Sequence, residues 1–337
     1  MYVLSQYKTV RDRYLASCTR TWANMAMASS IFWDDVQHNG SQWVAVGDDA
    51  SYGATENINY SANGVNWSAA TGDSYILKRM QRVCHNGTIW AALTSDDVNP
   101  GFGMTSTNGS AWTNRSVTGP PAGVLKNLSK VGAQFCAADN LSSNVFYTST
   151  DGYTFANGGT LPYTTNWGAS VANGANVVIL TNGSGGNDDR TAYSTNSGAT
   201  WTAGGVLPVA STWSDVIWTG RCNFAVDFNS PANAARSYDN GLTWTAVTMP
   251  APVGIGNWGR PCATSQGTIF IPMFYNTGFT EHTILYGSTN DGDTWCLNTL
   301  SQNGQWGCAG SDGTRVVVCA NNATGSPNTK GSYADPV

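Results

Sequence analysis

Short apolar runs alternate with polar turn residues along the chain, and no stretch shows the apolar period of a helix. Several turns carry hairpin dipeptides, as in His38-Asn39-Gly40 and Ser311-Asp312-Gly313. Segments with the pattern of a first strand, a tight turn and a second strand begin near Trp33, Lys78, Leu125, Trp167, Trp213, Trp258 and Trp306. The pattern therefore predicts an all-β chain built from hairpins.

A second pattern recurs six times: a Ser, then an Asp or Asn, a Gly and an aromatic residue. The copies are residues 61–67, 106–112, 149–155, 194–201 (STNSGATW), 237–244 (SYDNGLTW) and 288–295 (STNDGDTW). The Asp or Asn oxygen can accept hydrogen bonds from downstream backbone N–H groups, and the Gly supplies a positive φ. We expect this turn role for Asn63, Asn108, Asp151, Asn196, Asp239 and Asn290.

The spacing of the copies predicts a repeated unit. Their terminal aromatics lie 45, 43, 46, 43 and 51 residues apart, about the length of a four-stranded propeller blade. One period before Trp67 lies Trp22, and residues 332–335 (SYAD) lie 44 residues after Ser288. We therefore expect a seventh copy, divided between the two ends of the chain.

The repeat resembles the Asp-box, or BNR repeat, of sialidase-like β-propellers, and the resemblance spans nearly the whole chain. It implies a seven-bladed β-propeller of four-stranded antiparallel blades over residues 17–337, preceded by an arm of residues 1–16. The N-terminal segment would supply the outer strand of the last blade and close the ring. A six-bladed ring with one leftover hairpin is the alternative.

Composition argues against some partners and indicates a setting. Charged residues are 11% of the chain, against about a quarter in ordinary soluble domains, and its 16 Lys and Arg form no basic stripe. This argues against nucleic-acid binding, and the lack of a long apolar run argues against membrane insertion. The N-terminus shows no signal peptide. A low-charge, Trp-rich chain without one indicates a virion protein; an extracellular protein whose signal was removed is the alternative.

The eight cysteines show no Cys-x-x-Cys spacing, and most fall within apparent strands, so we expect free buried thiols. Counting outwards from the turn at Asp312-Gly313 places Cys308 opposite Val317. With three His and no His near a Cys pair other than His85 beside Cys84, we expect no metal and no cofactor.

Catalytic motifs are largely absent. The Arg-Ile-Pro phrase of sialidases is missing, and the chain has only two Glu, Glu56 and Glu281, which argues against sialidase activity. Asp35 and Asp215 follow Trp33 and Trp213 on two first strands, and such carboxylates could act as acid and base in a glycosidase. The alternative is that they cap loops or line a wet channel.

A binding surface remains as the favoured functional element. Aromatic faces beside amides suit sugar rings, and the candidates are Trp33, Trp167, Trp213, Trp258 and Trp306. The irregular loops at residues 48–57, 94–103, 182–190 and 275–282 would share their face. Packing between blades is the other interpretation of these tryptophans. We expect a non-enzymatic virion propeller, in a phage tail, fibre or decoration, that contacts other virion proteins or host surface glycans. An extracellular glycoside hydrolase or lectin is the alternative.

Overall fold

The computed structural model describes residues 18–48, 57–72, 80–94, 101–119, 125, 127–138, 142–182, 188–227, 233–250, 257–275, 281–321 and 328–336. Every named element in these ranges is a β-strand, so the all-β prediction is confirmed. The expected arm of residues 1–16 lies outside the described ranges, and its boundary stays a prediction.

The strands follow one another with short connections. The first half of the chain holds β1 (Ala23–His38), β2 (Trp43–Asp48), β3 (Ile58–Ser61), β4 (Ser68–Ala69), β5 (Thr71–Gly72), β6 (Met80–His85), β7 (Trp90–Thr94), β8 (Phe102–Ser106), β9 (Ala111–Ser116), β10 (Ser129–Val131), β11 (Gln134–Ala138), β12 (Ser143–Ser149) and β13 (Ala156–Thr165). The second half holds β14 (Trp167–Asn173), β15 (Asn176–Thr181), β16 (Thr191–Ser194), β17 (Thr202–Ala203), β18 (Trp213–Trp218), β19 (Asn223–Asp227), β20 (Asn233–Ser237), β21 (Thr245–Thr248), β22 (Asn257–Trp258), β23 (Cys262–Ala263), β24 (Ile269–Tyr275), β25 (His282–Ser288), β26 (Cys296–Gly304), β27 (Trp306–Ser311), β28 (Val316–Ala320) and β29 (Asn328–Ala334).

The strands pair mainly with their sequence neighbours, in antiparallel order. Three sheets have four strands each, β10 to β13, β14 to β17 and β18 to β21. A fourth has the order β22-β24-β25-β26 with β23 also on β24, and a fifth has the order β5-β9-β8-β7-β6. In the latter, β5 is parallel to β9. Consecutive hairpins thus form consecutive small sheets, as their alternating apolar pattern predicts.

The two ends of the chain meet in one seven-stranded sheet of order β27-β28-β29-β1-β2-β3-β4. The first part of β1 pairs with β29, as in Ala23 opposite Tyr333, and its last part pairs with β2, as in His38 opposite Trp43. The N-terminal strand therefore lies beside the last strand of the C-terminal hairpins, as the sequence predicts.

A disulfide also ties the N-terminus to the C-terminal part of the chain, and it corrects the expectation that all cysteines are free. Cys18 is bonded to Cys296, 278 residues away, while the other six cysteines are free and buried. Asn298 reinforces the link, since its Oδ1 accepts hydrogen bonds from Arg20 N at 2.8 Å and from Trp22 Nε1 at 3.1 Å.

The register of the last hairpin differs from the expected one. Ser311 pairs with Val316, which places Cys308 opposite Cys319 rather than Val317. The turn holds four residues instead of two, because Asp312 Oδ1 accepts the backbone N–H groups of Thr314 at 2.8 Å and Arg315 at 2.7 Å.

The expected seventh repeat is also shifted. In four of the six intact copies the Ser pairs with the first residue after the inner hairpin turn, as Ser61 does with Trp43, and in the two whose inner turn has two residues it pairs with the second. The equivalent partner of Val316 is Ala334, so the seventh position lacks the hydroxyl that Ser332 was expected to supply.

The six intact turns share one set of hydrogen bonds. In each, the Ser Oγ accepts the Gly N–H at 2.8–2.9 Å, and the Asn or Asp Oδ1 accepts a downstream backbone N–H at 2.7–3.0 Å. The acceptors are Asn63, Asn108, Asp151, Asn196, Asp239 and Asn290. All six glycines have positive φ, between 68° and 90°.

These glycines press against the preceding sheet. A Cβ at Gly152 would lie 2.6 Å from the Cβ of Ala91, one at Gly198 would lie 2.5 Å from Phe146 Cε1, and one at Gly292 would lie 2.6 Å from Val247 Cγ1. Since real Cβ contacts are longer, only glycine lets each turn pack this closely on its neighbour.

Substitution of a turn glycine separates packing from backbone strain. We expect Gly152→Ala to lower the free energy of unfolding by about 2–4 kcal/mol, because it adds overpacking to the cost of a positive φ. Gly174→Ala is the matched control: its φ is +61° but nothing lies within 4 Å of the added Cβ, so about 1–2 kcal/mol is expected. Urea unfolding measures both values, and equal losses would contradict the packing role.

Candidate functional site

The five tryptophans expected to bind sugars lie in the core. Trp33, Trp167, Trp213, Trp258 and Trp306 are each 0–1% exposed. Their indoles pack between sheets, and three of the ring N–H groups donate to backbone carbonyls, as Trp306 Nε1 does to His282 O at 2.9 Å. This corrects the expectation that their faces lie on the surface. The irregular loops predicted to share that surface fall largely outside the described ranges.

A polar cavity with a volume of about 510 Å³ lies among the described residues. Seven separate parts of the chain line it, within residues 35–39, 82–87, 127–130, 169–172, 215–218, 260–263 and 309–311. These are the first strands of the successive hairpins or residues that directly flank them. A cavity of this size can hold a small ligand.

Strand register aligns the seven parts with one another. His38 pairs with Trp43, and Trp43 pairs with Ser61 of the first repeat. In each other hairpin, one residue of the first strand occupies the position equivalent to His38. Three residues before His38 and before each of its equivalents lie, in chain order, Asp35, Arg82, Asn127, Ala169, Asp215, Arg260 and Cys308. The first six of these residues line the cavity, and these equivalent positions form one level of its wall. This level holds two Asp-Arg pairs, Asp35 with Arg82 and Asp215 with Arg260, each pair on successive hairpins.

The structure therefore brings the two predicted carboxylates to the same cavity. Asp35 Oδ2 accepts the Val83 N–H at 3.1 Å. Burial raises the pKa of Asp35, although the positive charge of Arg82 acts in the opposite direction. Asp215 lies 3.5 Å from Arg260 Nη1. Burial raises the pKa of Asp215 to about 6, with Arg82 opposing the shift and Asp35 adding to it.

Arg82 is the unusual member of this level. It is 8% exposed, and it makes neither a hydrogen bond nor an ion pair to any residue that the structure describes. Arg260, by contrast, donates from Nε to Asp34 O at 2.7 Å and pairs with Asp215. Arg82 therefore borders the cavity with Asp35 and Asp215 close enough to act on its charge, while its hydrogen-bond donors are not used by the described residues around it.

A smaller cavity of about 150 Å³ adjoins the first one and shares Asp215 and Arg260 with it. Its remaining lining residues are Asp34, Ser214, Trp258, Gly259, Phe274, Gly307 and Asn321. Trp258 is the one of the five tryptophans that borders either cavity. Arg260 thus separates the two spaces, and its ion pair with Asp215 forms part of both walls.

Sequence reasoning found Asp35 and Asp215 but missed Arg82, Asn127 and Arg260. The signal that could have found them is positional: the repeat Ser identifies its partner on the second strand, that partner identifies a residue on the first strand, and three residues before that residue lies the same level in every hairpin. That count requires the correct turn length in each hairpin.

Two of the three histidines stabilise hairpin turns. The Nδ1 atoms of His38 and His85 accept the N–H groups of Gly40 and Gly87, and the rings pack on Trp43 and Trp90. Among the residues with described positions, no group of three His, Cys, Asp or Glu could hold an ion. That same part of the chain contains no helix long and apolar enough to span a membrane.

Comparison with known proteins establishes the fold alone. No family model matches the chain, and no curated protein matches it in sequence. The structure is similar to the β-propeller domain of Swd1 from Myceliophteria thermophila, at 9% identity and a TM-score of 0.63, covering 94% of this chain and 100% of that one. It is also similar to virginiamycin B lyase from Staphylococcus aureus, at 8% identity and 0.71, covering 94% and 99%.

A third similar structure is the GH74 xyloglucanase of Xanthomonas campestris, at 12% identity and a TM-score of 0.65, covering 90% of this chain and 52% of that one. At these identities the likeness shows architecture and not activity. The fold is a β-propeller.

The raised pKa of Asp215 predicts a pH-dependent stability. An unfolded Asp titrates near 3.8, whereas Asp215 in the fold titrates near 6, so its stabilising protonation is complete below pH 4 and is lost as the pH rises through 6. We expect the free energy of unfolding to fall between about pH 4 and pH 6 and to level off above that, and Asp215→Asn to gain about 2 kcal/mol at pH 7.

Asp239→Asn is the control for this experiment. Burial raises the pKa of Asp239, but hydrogen bonds from Thr243 outweigh it and hold the pKa below its usual range, so its titration lies outside the window. Asn occupies the same turn position in four other repeats. Urea unfolding at the two ends of this pH range should show that the free energy of unfolding of Asp239→Asn depends on pH as it does in the wild type. An equally steep fall with pH in Asp215→Asn would contradict the assignment of the titration to Asp215.

Proposed function

We propose that the protein is a seven-bladed propeller of the Asp-box type that binds a ligand in its central cavity and does not catalyse a reaction. Seven parts of the chain line that cavity, which supports seven blades over the six-bladed alternative. The pairing of β1 with β29 supports closure of the ring by the N-terminal strand.

The observation that carries the binding role is Arg82. The guanidinium of Arg82 borders the cavity, and Asp35 and Asp215 act on it only through charge, so a ligand could accept hydrogen bonds that the described residues do not. Asp35 and Arg260 on the same level offer acceptors and donors to hydroxyl groups. The ligand class that suits this lining is a glycan end that carries hydroxyls and an acidic group.

The proposed setting is a virion, as a tail, fibre or decoration component that contacts other virion proteins and a host surface glycan. The low charge content supports a protein that works outside the cell. The Cys18–Cys296 disulfide supports an oxidising environment at some stage. The number of copies would be set by the assembly, and an extracellular lectin with the same cavity is the alternative setting.

A glycoside hydrolase is the second candidate, and one observation favours it. Asp215 has a pKa of about 6 and shares the cavity with Asp35, as a general acid and its partner would. Against it, Asp215 is paired with Arg260, and Asp35 accepts the Val83 N–H. Similarity to a GH74 enzyme at 12% identity adds only a shared fold.

A glycan array that holds both neutral and acidic glycans tests the binding role. We expect the protein to retain acidic glycans, and Arg82→Gln to weaken their binding by about 10- to 100-fold, since a hydrogen bond to a charged group contributes about 1.5–3 kcal/mol. Arg115→Gln is the matched control in the same sheet, because Arg115 donates to Thr105 and lies over Tyr153. Equal binding by wild type and Arg82→Gln would refute the cavity site.

The hydrolase alternative has its own test. We expect no new reducing ends when the protein is incubated with its array ligands between pH 5 and 7. Release of sugar by wild type that is lost in both Asp215→Asn and Asp35→Asn would establish the second candidate and overturn the first.

A further inference from the structure

Two free thiols face each other where the two ends of the chain meet. Cys308 on β27 and Cys319 on β28 are directly opposite in the strand register, and both are fully buried. They belong to the apolar cluster that also contains Met25, Ile31 and Trp33 of β1. The thiols therefore lie on the face of the C-terminal hairpin that β1 covers.

The spacing of this pair suits a covalent bond. Opposite residues of an antiparallel ladder have Cα atoms about 4.5–5.5 Å apart and point to the same face. Disulfides span Cα distances of about 4.4–6.8 Å. The two side chains also interact, since burial and then the neighbouring Cys319 thiol raise the pKa of Cys308 well above its usual value. None of the other four free cysteines has a cysteine directly opposite it among the described strand pairs.

We propose that Cys308 and Cys319 are a disulfide-forming site, which oxidation converts into a second crosslink beside Cys18–Cys296. With a small disulfide such as oxidised glutathione as oxidant, the Cys308 thiolate attacks one glutathione sulfur and releases one glutathione thiolate. The Cys319 thiolate then attacks the Cys308 sulfur and releases the second. The two cysteine protons pass to the released thiolates, so two thiols are oxidised and one glutathione disulfide is reduced.

The time at which the bond forms follows from burial. In the folded chain both thiols are covered and Cys308 holds its proton, so attack on an external disulfide is slow. Before β1 packs on the hairpin, the same face is open. We therefore expect the bond to form during folding, within a hairpin whose strands are already adjacent in sequence.

Thiol counting during refolding tests the site. The reduced full chain is refolded with reduced and oxidised glutathione, then alkylated with N-ethylmaleimide in denaturant and weighed intact. We expect four labelled cysteines rather than the six that are free in the structure, and a peptide map that joins Cys308 to Cys319. Cys136→Ser, a control at another buried thiol, should keep this crosslink. Cys319→Ser should lose it and leave Cys308 labelled.

A second preparation removes the dependence on refolding. The chain exported to an oxidising compartment and alkylated without prior reduction should give the same count. Six labelled thiols with Cys18–Cys296 intact would overturn the proposal, as would glutathione retained on Cys308. Reduction should lower the midpoint of thermal unfolding more in Cys136→Ser than in a Cys136→Ser, Cys319→Ser double variant; equal shifts would also count against the crosslink.

Discussion

The architecture depends on the close approach of each turn glycine to the sheet before it. The Ser hydroxyl fixes the glycine N–H and the Asn or Asp oxygen fixes the N–H groups that follow, which holds the positive φ that only glycine adopts cheaply. At Gly198 and Gly292 the backbone then rests on Phe146 and Val247 of the preceding sheet. Every repeat is therefore both a hairpin turn and an intersheet contact, which explains why the motif recurs while the rest of each unit varies.

Much of the fold could be predicted because these turns have a local cause. Residues within eight positions satisfy one another, so the sequence alone indicates the turn, the all-β class and the meeting of the two ends. Register could not be predicted in the same way. The turn after Ser311 holds four residues because Asp312 accepts hydrogen bonds from the backbone N–H groups of both Thr314 and Arg315. The two-residue turn expected from the sequence would pair every residue of β27 with a different residue of β28.

The candidate site was only partly predictable, for a related reason. A repeated Trp at the start of a first strand gives the same sequence pattern whether its ring packs in the core or binds a ligand. The burial of Trp33 and its equivalents between sheets shows that their rings pack in the core. The cavity instead is built from one level at which the hairpins carry different side chains. Asp35 and Asp215 could be found because each closely follows a Trp, whereas Arg82 has no local motif and acquires its meaning from the register.

Binding at this level, with Arg82 as the anchor, is the central claim, and a crystal structure of the protein with an acidic glycan from the array tests it most directly. The account predicts ligand density inside the cavity, with an acidic oxygen within hydrogen-bonding distance of the Arg82 guanidinium and hydroxyls near Asp35 or Arg260. Ligand density confined to the outer surface, with the cavity holding only water and Arg82 unmoved, would contradict it.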